Sequence, residues 1–407
     1  MDGESKGPGG VFGSGGREEG PPGAACPPAT LGTPTAGPSR RRGTSRRAAA
    51  LAAVGLAAAA LAVGLVSGGR LIGARAGEPP AYFGRAVGSV AAPAITRASG
   101  IATVDRGLVD IASSFRLAGA RGAATGMVID ARGLVLTNNH VIDGASAITA
   151  TSVSSGKTYT ATVLGYDRHR DVAVLQLRGA SGLPVVPLGS SSALAVGARV
   201  AAVGNAHGSG GTPKVARGVV TGLDSTIVAG DAGGAHLERL TGMIRTDAGI
   251  VPGDSGGPLV NASGLVVGMS TASSAGTGPP QRAVTGFAIP IDTAMSVARA
   301  IVAGRGGGGV HVGPTAFLGV AVVPHPARAG AGGAVIGAVI PGYPAAGAGL
   351  ARGDVIVSVG GRRVASAAVL ADVLDRYRPG DVVLVAWRDV SGRAHSVTVT
   401  LASGPPA

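Results

Sequence analysis

Short apolar runs, separated by turn-forming residues, are the feature that most limits the fold of this chain. Between residues 101 and 301 the runs are rich in Val, Ile, Leu and Thr, and Gly, Asn, Asp or Ser stands between them. This spacing predicts an all-β barrel or sandwich. The clearest runs are 126–130, 133–137, 171–177 and 264–268. One helix is predicted at Ile291–Val302, ending at Gly304.

A second module follows a run of four glycines, Gly306–Gly309, which we interpret as a flexible linker. From residue 310 to 402 the strands are still short, but a helix is predicted at Ala367–Arg378 before Pro379 and Gly380. We therefore expect an all-β domain over residues 98–305 and an α+β domain over residues 310–402.

The N-terminal region contains a candidate membrane segment. Ala48–Val66 is a run of uncharged residues long enough to span a bilayer, and five arginines directly precede it. We predict a disordered cytoplasmic tail over 1–47, a transmembrane helix over 48–67 and a linker over 68–97. The protein would then be a single-pass protein of the cell membrane with its folded part outside the cytoplasm.

An export signal is the alternative for the same region. Arg46 and Arg47 before an apolar run resemble a twin-arginine signal, and Ala74–Ala76 has the small-x-small form of a cleavage site. Cleavage there would give a mature chain that begins at Gly77. We favour the uncleaved anchor because the apolar run reaches spanning length, and both alternatives put the folded part outside the cytoplasm.

Composition excludes several classes of protein. A single cysteine among 407 residues rules out an intrachain disulfide and a Cys/His zinc site. The net charge of +13 is spread thinly over the chain and aromatic residues make up only 3%, so a nucleic-acid binder is disfavoured. We find no metal-ligand spacing and expect neither a metal nor another cofactor.

The strongest chemical signal is the string from Pro252 to Leu259, which contains Ser255 between small residues. A serine nucleophile must be exposed on a tight turn, with backbone N–H groups directed at the developing oxyanion. Gly253 can adopt a positive φ, and its N–H and that of Ser255 would form the oxyanion hole.

A nucleophilic serine also needs a base and a carboxylate that orients the base. His140 follows the predicted strand 134–137, and Asp171 begins the apolar run 171–177. Asp167 is the other candidate, and we prefer Asp171 because it adjoins the run that should be buried. We interpret the remaining histidines as surface residues; they are His169, His207, His236, His311, His325 and His395.

These motifs together resemble the HtrA/Deg family of chymotrypsin-fold serine proteases. The resemblance covers residues 101–402 and rests on 137–142, 171–177 and the segment from Arg245 to Ser255. It implies a double six-stranded β-barrel with the active site between the barrels. It further implies that His140 is the general base, Asp171 its orienting carboxylate and Ser255 the nucleophile.

The second module resembles a PDZ domain. The run Phe317, Leu318, Gly319 and Val320 is similar to the loop that binds a peptide's C-terminal carboxylate, and 344–356 is similar to the segment that follows. The resemblance implies binding of polypeptide C-termini, with a purely structural PDZ domain as the alternative.

The chain also departs from the family. Position 254 is Asp where the family usually has Asn, and its partner cannot be named from the sequence. The family suggests a homotrimer, but its trimer aromatics are not evident, with Tyr82, Phe83 and Phe115 as the available candidates.

Substrate preference is predicted only in outline. Gly249 carries no carboxylate, so a pocket for Lys or Arg is not expected. We expect Ile250 to line a shallow apolar pocket that accepts small aliphatic residues.

The sequence thus predicts a membrane-tethered serine endopeptidase that cleaves unfolded or specific envelope proteins, with a PDZ domain that binds substrates or regulates cleavage. A non-proteolytic PDZ scaffold or chaperone with an idle protease barrel is the alternative.

Overall fold

The computed structural model of the chain describes residues 100–116, 119–205, 208–230, 237–274, 285–323 and 332–406. The predicted tail, membrane segment and linker lie outside these ranges, as do His207, His236 and His325. In the described part of the chain, no helix combines the length and the apolar composition needed to cross a bilayer.

A short helix, α1 (Ala102–Arg106), leads into a first β-barrel. Its strands are antiparallel neighbours, and pairing of β5 with β6 closes the ring. Alternate side chains point inward, as period-2 sequences require, and Ile111, Val135 and Leu175 are fully buried there. The strands are β1 (Leu108–Phe115), β2 (Ala120–Asp130), β3 (Leu134–Thr137), β4 (Ala147–Ser152), β5 (Thr158–Asp167) and β6 (Val172–Leu177).

A second closed barrel follows, with strand order β10-β11-β12-β9-β8-β7. Val200, Leu259 and Val267 belong to its core. The strands are β7 (Arg199–Gly204), β8 (Lys214–Gly230), β9 (Leu237–Thr246), β10 (Pro258–Asn261), β11 (Val266–Ser274) and β12 (Thr285–Pro290). Two six-stranded barrels in series form the chymotrypsin-like fold that the resemblance implies.

Helix α2 (Ile291–Val302) packs against both barrels. Its buried residues include Ala294, Val297, Ala298 and Ile301, which recur at the three- and four-residue spacing of one helix face. The apolar stripe therefore explains both the helix and its position.

The segment after α2 differs from the expected linker. Gly306–Gly309 forms a tight turn in which the N–H groups of Gly307 and Val310 bond to each other's carbonyl oxygens, at 2.8 and 3.1 Å. The next strand, β13 (Val310–Val312), pairs with β5 of the first barrel rather than with the second domain. This pairing buries His311, so our interpretation of His311 as a surface residue is wrong.

The remaining strands and helices form the second domain. Its main sheet follows the order β15-β16-β17-β19-β20, with β18 beside β17, and β14 pairs with β21. Its core includes Leu318, Ile356 and Trp387. The elements are β14 (Thr315–Phe317), β15 (Val320–Val322), β16 (Ala334–Val339), α3 (Pro344–Gly347), β17 (Val355–Val359), β18 (Arg362–Arg363), α4 (Ala367–Leu374), β19 (Val382–Arg388), β20 (Ala394–Thr400) and β21 (Ala402–Gly404).

Candidate active site

Ser255 lies in the turn between β9 and β10. Asp254 organises this turn: its N–H donates to the carbonyl of Val251 at 3.0 Å, and its Oδ2 accepts the N–H of Val251 at 3.0 Å. The N–H of Gly257 closes the next turn onto the carbonyl of Asp254 at 2.8 Å. Val251 is thus a partner of the aspartate that departs from the family pattern.

Two N–H groups of this turn are left without acceptors. Gly253 has φ +99°, a conformation that glycine tolerates far better than other residues. In the described part of the chain the N–H groups of Gly253 and Ser255 donate to no protein acceptor, whereas those of Asp254, Gly256 and Gly257 all do. The two expected oxyanion-hole donors are therefore available to a ligand.

His140 and Asp171 are brought together across the first barrel. The Nδ1 atom of His140 lies 2.9 Å from Oδ2 and 3.0 Å from Oδ1 of Asp171. The backbone N–H of His140 also donates to Oδ1 at 2.9 Å. Because a carboxylate accepts hydrogen bonds, this geometry requires the proton on Nδ1 and leaves Nε2 as the base.

The backbone of Asp171 lies in the left-handed region, with φ +52°, which is uncommon for a residue other than glycine. Its carbonyl accepts a hydrogen bond from Nδ2 of Asn138 at 3.0 Å, and its side chain is buried. Strained backbone of this kind persists where the surroundings hold it, often at functional sites.

Asp167, the other candidate carboxylate, has different partners. It forms an ion pair with Arg170 and accepts the N–H of Arg170 at 3.0 Å. The structure therefore joins Asp171, and not Asp167, to His140.

Thr271, in β11, connects this pair to the serine. Its hydroxyl donates to Oδ2 of Asp171, and its carbonyl accepts a hydrogen bond from Oγ of Ser255 at 3.3 Å. The three predicted residues therefore meet around one threonine. Thr271 is not predicted from the sequence, because a threonine in a strand carries no signal of its own.

Ile250 is buried within the core of the second barrel, beside Ala248. Gly286 lies in the neighbouring strand β12. A Cβ added to it would lie 2.8 Å from Cδ1 of Ile250, so β12 has room only for glycine at this position. The position where Gly249 would carry a side chain is open space. The apolar specificity pocket stays a prediction.

The predicted carboxylate-binding loop lies before β15, which among the described residues is an edge strand of the main sheet and pairs only with β16. The carbonyls of Leu318 and Gly319 are held by the N–H groups of Ala345 and Ile340, at 2.8 and 2.9 Å. The N–H groups of Leu318 and Gly319 have no acceptor within the described residues. Phe317 packs edge-on against Tyr343, with ring centroids 5.0 Å apart, and Val320 begins the edge strand.

A polar cluster, buried at Tyr166 and His311 and partly exposed at its other residues, links this second domain to the barrel strand that precedes Asp171. Arg168 contacts Asp372 and Asp375 at 2.7 and 2.8 Å. Tyr166 donates to Asp375 at 2.8 Å and stacks on His311. Burial and the nearby charge of Asp375 raise the pKa of Tyr166 well above its ordinary value. We call these five residues the interdomain cluster.

No group of three or more His, Cys, Asp or Glu residues within the described ranges is arranged to hold a metal ion.

Family models match both domains of the chain. The family model of the trypsin-like peptidase domain matches residues 124–269, and that of the PDZ domain matches residues 335–388. Among solved structures, the HtrA-type protease AlgW with tripeptide is 27% identical with a TM-score of 0.44, covering 77% of this chain and 98% of that chain.

Three curated relatives are similar over most of this chain. Serine protease PepD of Mycobacterium tuberculosis is 36% identical over 68% of this chain and 60% of its own length. Protease Do-like 1 of Arabidopsis thaliana is 34% identical over 65% of this chain and 60% of its own length. Periplasmic serine endoprotease DegP of Salmonella typhimurium is 36% identical over 60% of this chain and 50% of its own length. The chain thus spans about half to three fifths of the length of these relatives.

Proposed function

We propose that this chain, a homologue of the HtrA and DegP serine proteases that joins a trypsin-like peptidase domain to a PDZ domain, is a serine endopeptidase. The observation that carries the proposal is the hydrogen bond between His140 Nδ1 and Asp171, together with the link through Thr271 to Ser255. A barrel with a purely structural role has no need for this arrangement at a strained aspartate.

In the proposed reaction, Oγ of Ser255 attacks the carbonyl carbon of a peptide bond, and Nε2 of His140 takes the serine proton. Asp171 stabilises the imidazolium that forms. The N–H groups of Gly253 and Ser255 bind the oxyanion, and His140 returns the proton to the leaving amine. Water then hydrolyses the acyl-enzyme by the same steps.

The PDZ domain would recruit or sense polypeptides. The N–H groups of Leu318 and Gly319 suit a terminal carboxylate, and the free edge of β15 suits an added peptide strand. We propose that substrates are unfolded or specific envelope proteins whose C-termini bind there.

The proposal also covers the location of the protein in the cell and its assembly state. The apolar run 48–66 would tether the protein in the cell membrane with its domains outside the cytoplasm. N-terminal sequencing of the mature protein tests the tether, because a chain that begins at Gly77 would be an exported, cleaved form. The mass of the purified protein in solution tests the proposed homotrimer.

Fluorophosphonate labelling of the full chain tests the peptidase directly, because the probe reacts with an activated serine and needs no knowledge of the substrate. We expect labelling of the native chain and none of the Ser255→Ala variant. If the native chain stays unlabelled both alone and with C-terminal peptides added, the peptidase is excluded and the PDZ scaffold or chaperone takes its place.

The specificity pocket needs its own test. We propose that Ile250 and Gly249 give a pocket for small aliphatic residues. Sequencing the products of an unfolded protein should give mainly Val or Ala before the cut, and a majority of Lys or Arg would exclude this pocket.

A further inference from the structure

Thr125, in strand β2 of the first barrel, is bonded to the turn that carries Ser255. Its side chain is buried, with 1% of the residue exposed. Its hydroxyl donates to the carbonyl of Gly253 at 2.8 Å and accepts the N–H of Asn205 at 2.9 Å. One hydroxyl thus joins a strand of the first barrel to two segments of the second.

The backbone of Thr125 makes two more bonds at the same place. Its N–H donates to the carbonyl of Ser255 at 2.9 Å. Its carbonyl accepts the hydroxyl of Thr137 at 2.9 Å, at the end of the strand that leads to His140. Thr125 therefore contacts both residues whose N–H groups form the proposed oxyanion hole.

These bonds matter because Gly253 has no side chain to hold it. A glycine has access to a wide range of backbone conformations, and the oxyanion donor is useful only if its N–H keeps one direction. The bond from the Thr125 hydroxyl fixes the carbonyl of Gly253 from the first barrel. The bond from the Thr125 N–H fixes the carbonyl of Ser255 two residues later.

We propose that Thr125 is a positioning residue that holds Gly253 and Ser255 in the conformation that binds the oxyanion. This inference rests on the proposed peptidase function and adds a residue from the first barrel to it. If Thr125 were merely structural, its hydroxyl would affect stability without affecting transition-state binding.

Thr246 provides a matched control. It is also fully buried, and its hydroxyl likewise donates to a carbonyl, that of Val219 at 2.8 Å, and accepts an N–H, that of Ala248 at 3.1 Å. Thr125→Val and Thr246→Val therefore remove equivalent hydrogen bonds from the full chain, but only Thr125→Val releases Gly253.

The experiment measures the rate of fluorophosphonate labelling per folded molecule and the kcat and KM for casein. The small probe has no side chain for the specificity pocket, and its phosphoryl oxygen occupies the oxyanion hole as Ser255 displaces fluoride. We expect Thr125→Val to lower the labelling rate and kcat by about tenfold to a hundredfold relative to Thr246→Val, with KM unchanged. Thr125→Ser should recover most of the rate.

The pH dependence separates this role from that of the base. Because the pair of His140 and Asp171 is untouched, the pH of half-maximal labelling should be the same in Thr125→Val and the native chain. If Thr125→Val does not fold, Thr125→Ser and Thr125→Ala replace it, because they differ from each other only in the hydroxyl.

The outcomes separate the two proposals. Equal rates for Thr125→Val and Thr246→Val, in a native chain that labels, would overturn the role of Thr125 alone. A native chain that does not label, either alone or with C-terminal peptides added, would overturn the peptidase and, with it, this inference.

Discussion

At the scale of single residues, Asp171 combines a strained backbone with a carboxylate that holds His140. Asparagine keeps the size of the side chain and tolerates the positive φ, but its amide can present a donor to Nδ1 and so favour the wrong tautomer of His140. We expect Asp171→Asn to lower kcat by about 10⁴ while the protein stays folded. Steady-state hydrolysis of casein and a thermal melt measure the two effects.

Asp167 supplies the matched control, because it is also a fully buried aspartate, four residues earlier. Its partner is Arg170, so Asp167→Asn should lower stability and leave kcat per folded molecule close to that of the native chain. Equal losses of kcat in the two variants would contradict the assignment of Asp171.

The residues of the site differ in how far the sequence predicts them. The local string around Ser255 predicts this residue as the nucleophile without any knowledge of the fold. The choice of Asp171 over Asp167 needs the fold, because two aspartates near the start of one strand look alike until their partners are known. Thr125 and Thr271 bond to residues 128 and 100 positions away in sequence, so no local pattern could single them out.

At the scale of elements, the loop before β15 depends on Gly319. Its φ is +90°, and an added Cβ would overlap the side chain of Tyr343. Gly319→Ala should therefore distort the loop that offers the N–H groups of Leu318 and Gly319. We expect loss of binding to a peptide with a free C-terminal carboxylate, and calorimetric titration of the full chain measures it.

Gly347, in the short helix α3, is the corresponding control. An added Cβ there meets open space, so Gly347→Ala should leave peptide affinity unchanged. Binding that survives Gly319→Ala, or that is equally strong for a peptide with an amidated C-terminus, would contradict capture of the carboxylate by this loop. A native chain that binds neither peptide would argue for a structural PDZ domain.

Element prediction was most accurate where the hydrophobic pattern is local. The predicted helix at 291–302 and the strand at 134–137 appear with these bounds, because side-chain alternation and helix periodicity follow from neighbouring residues alone. The sequence pattern assigns Val310–Val312 to the second domain, and a three-residue strand carries no signal for its pairing partner. Its pairing with β5 is a tertiary contact, and the same contact explains why His311 is buried.

At the scale of the whole molecule, the interdomain cluster places helix α4 against the strand and loop that lead to Asp171. Tyr166 lies in β5, and Asp375 follows the last residue of α4. Tyr166 and Arg168 are both largely buried, and each bonds to the carboxylate of Asp375. Groups desolvated between two domains in this way couple domain docking to their own protonation.

The pH dependence of docking follows from Tyr166. Burial and Asp375 raise its pKa in the folded protein, so the stability it contributes is present below the ordinary tyrosine pKa of about 10 and is lost as the pH rises above that value. We expect the melting temperature of the full chain to fall between about pH 9 and pH 11 more steeply than that of Tyr166→Phe. Near pH 7, Tyr166→Phe should be less stable by about 0.5–1.5 kcal/mol, because it lacks the hydrogen bond to Asp375.

Asp372→Asn completes this comparison, because it removes one carboxylate from Arg168 and keeps both Tyr166 and Asp375. Its melting temperature should be lower than that of the native chain at neutral pH but should fall with the same alkaline slope. If the native chain and Tyr166→Phe instead lose stability in parallel up to about pH 11, Tyr166 does not titrate with docking. The alkaline loss would then have to come from charges elsewhere in the molecule.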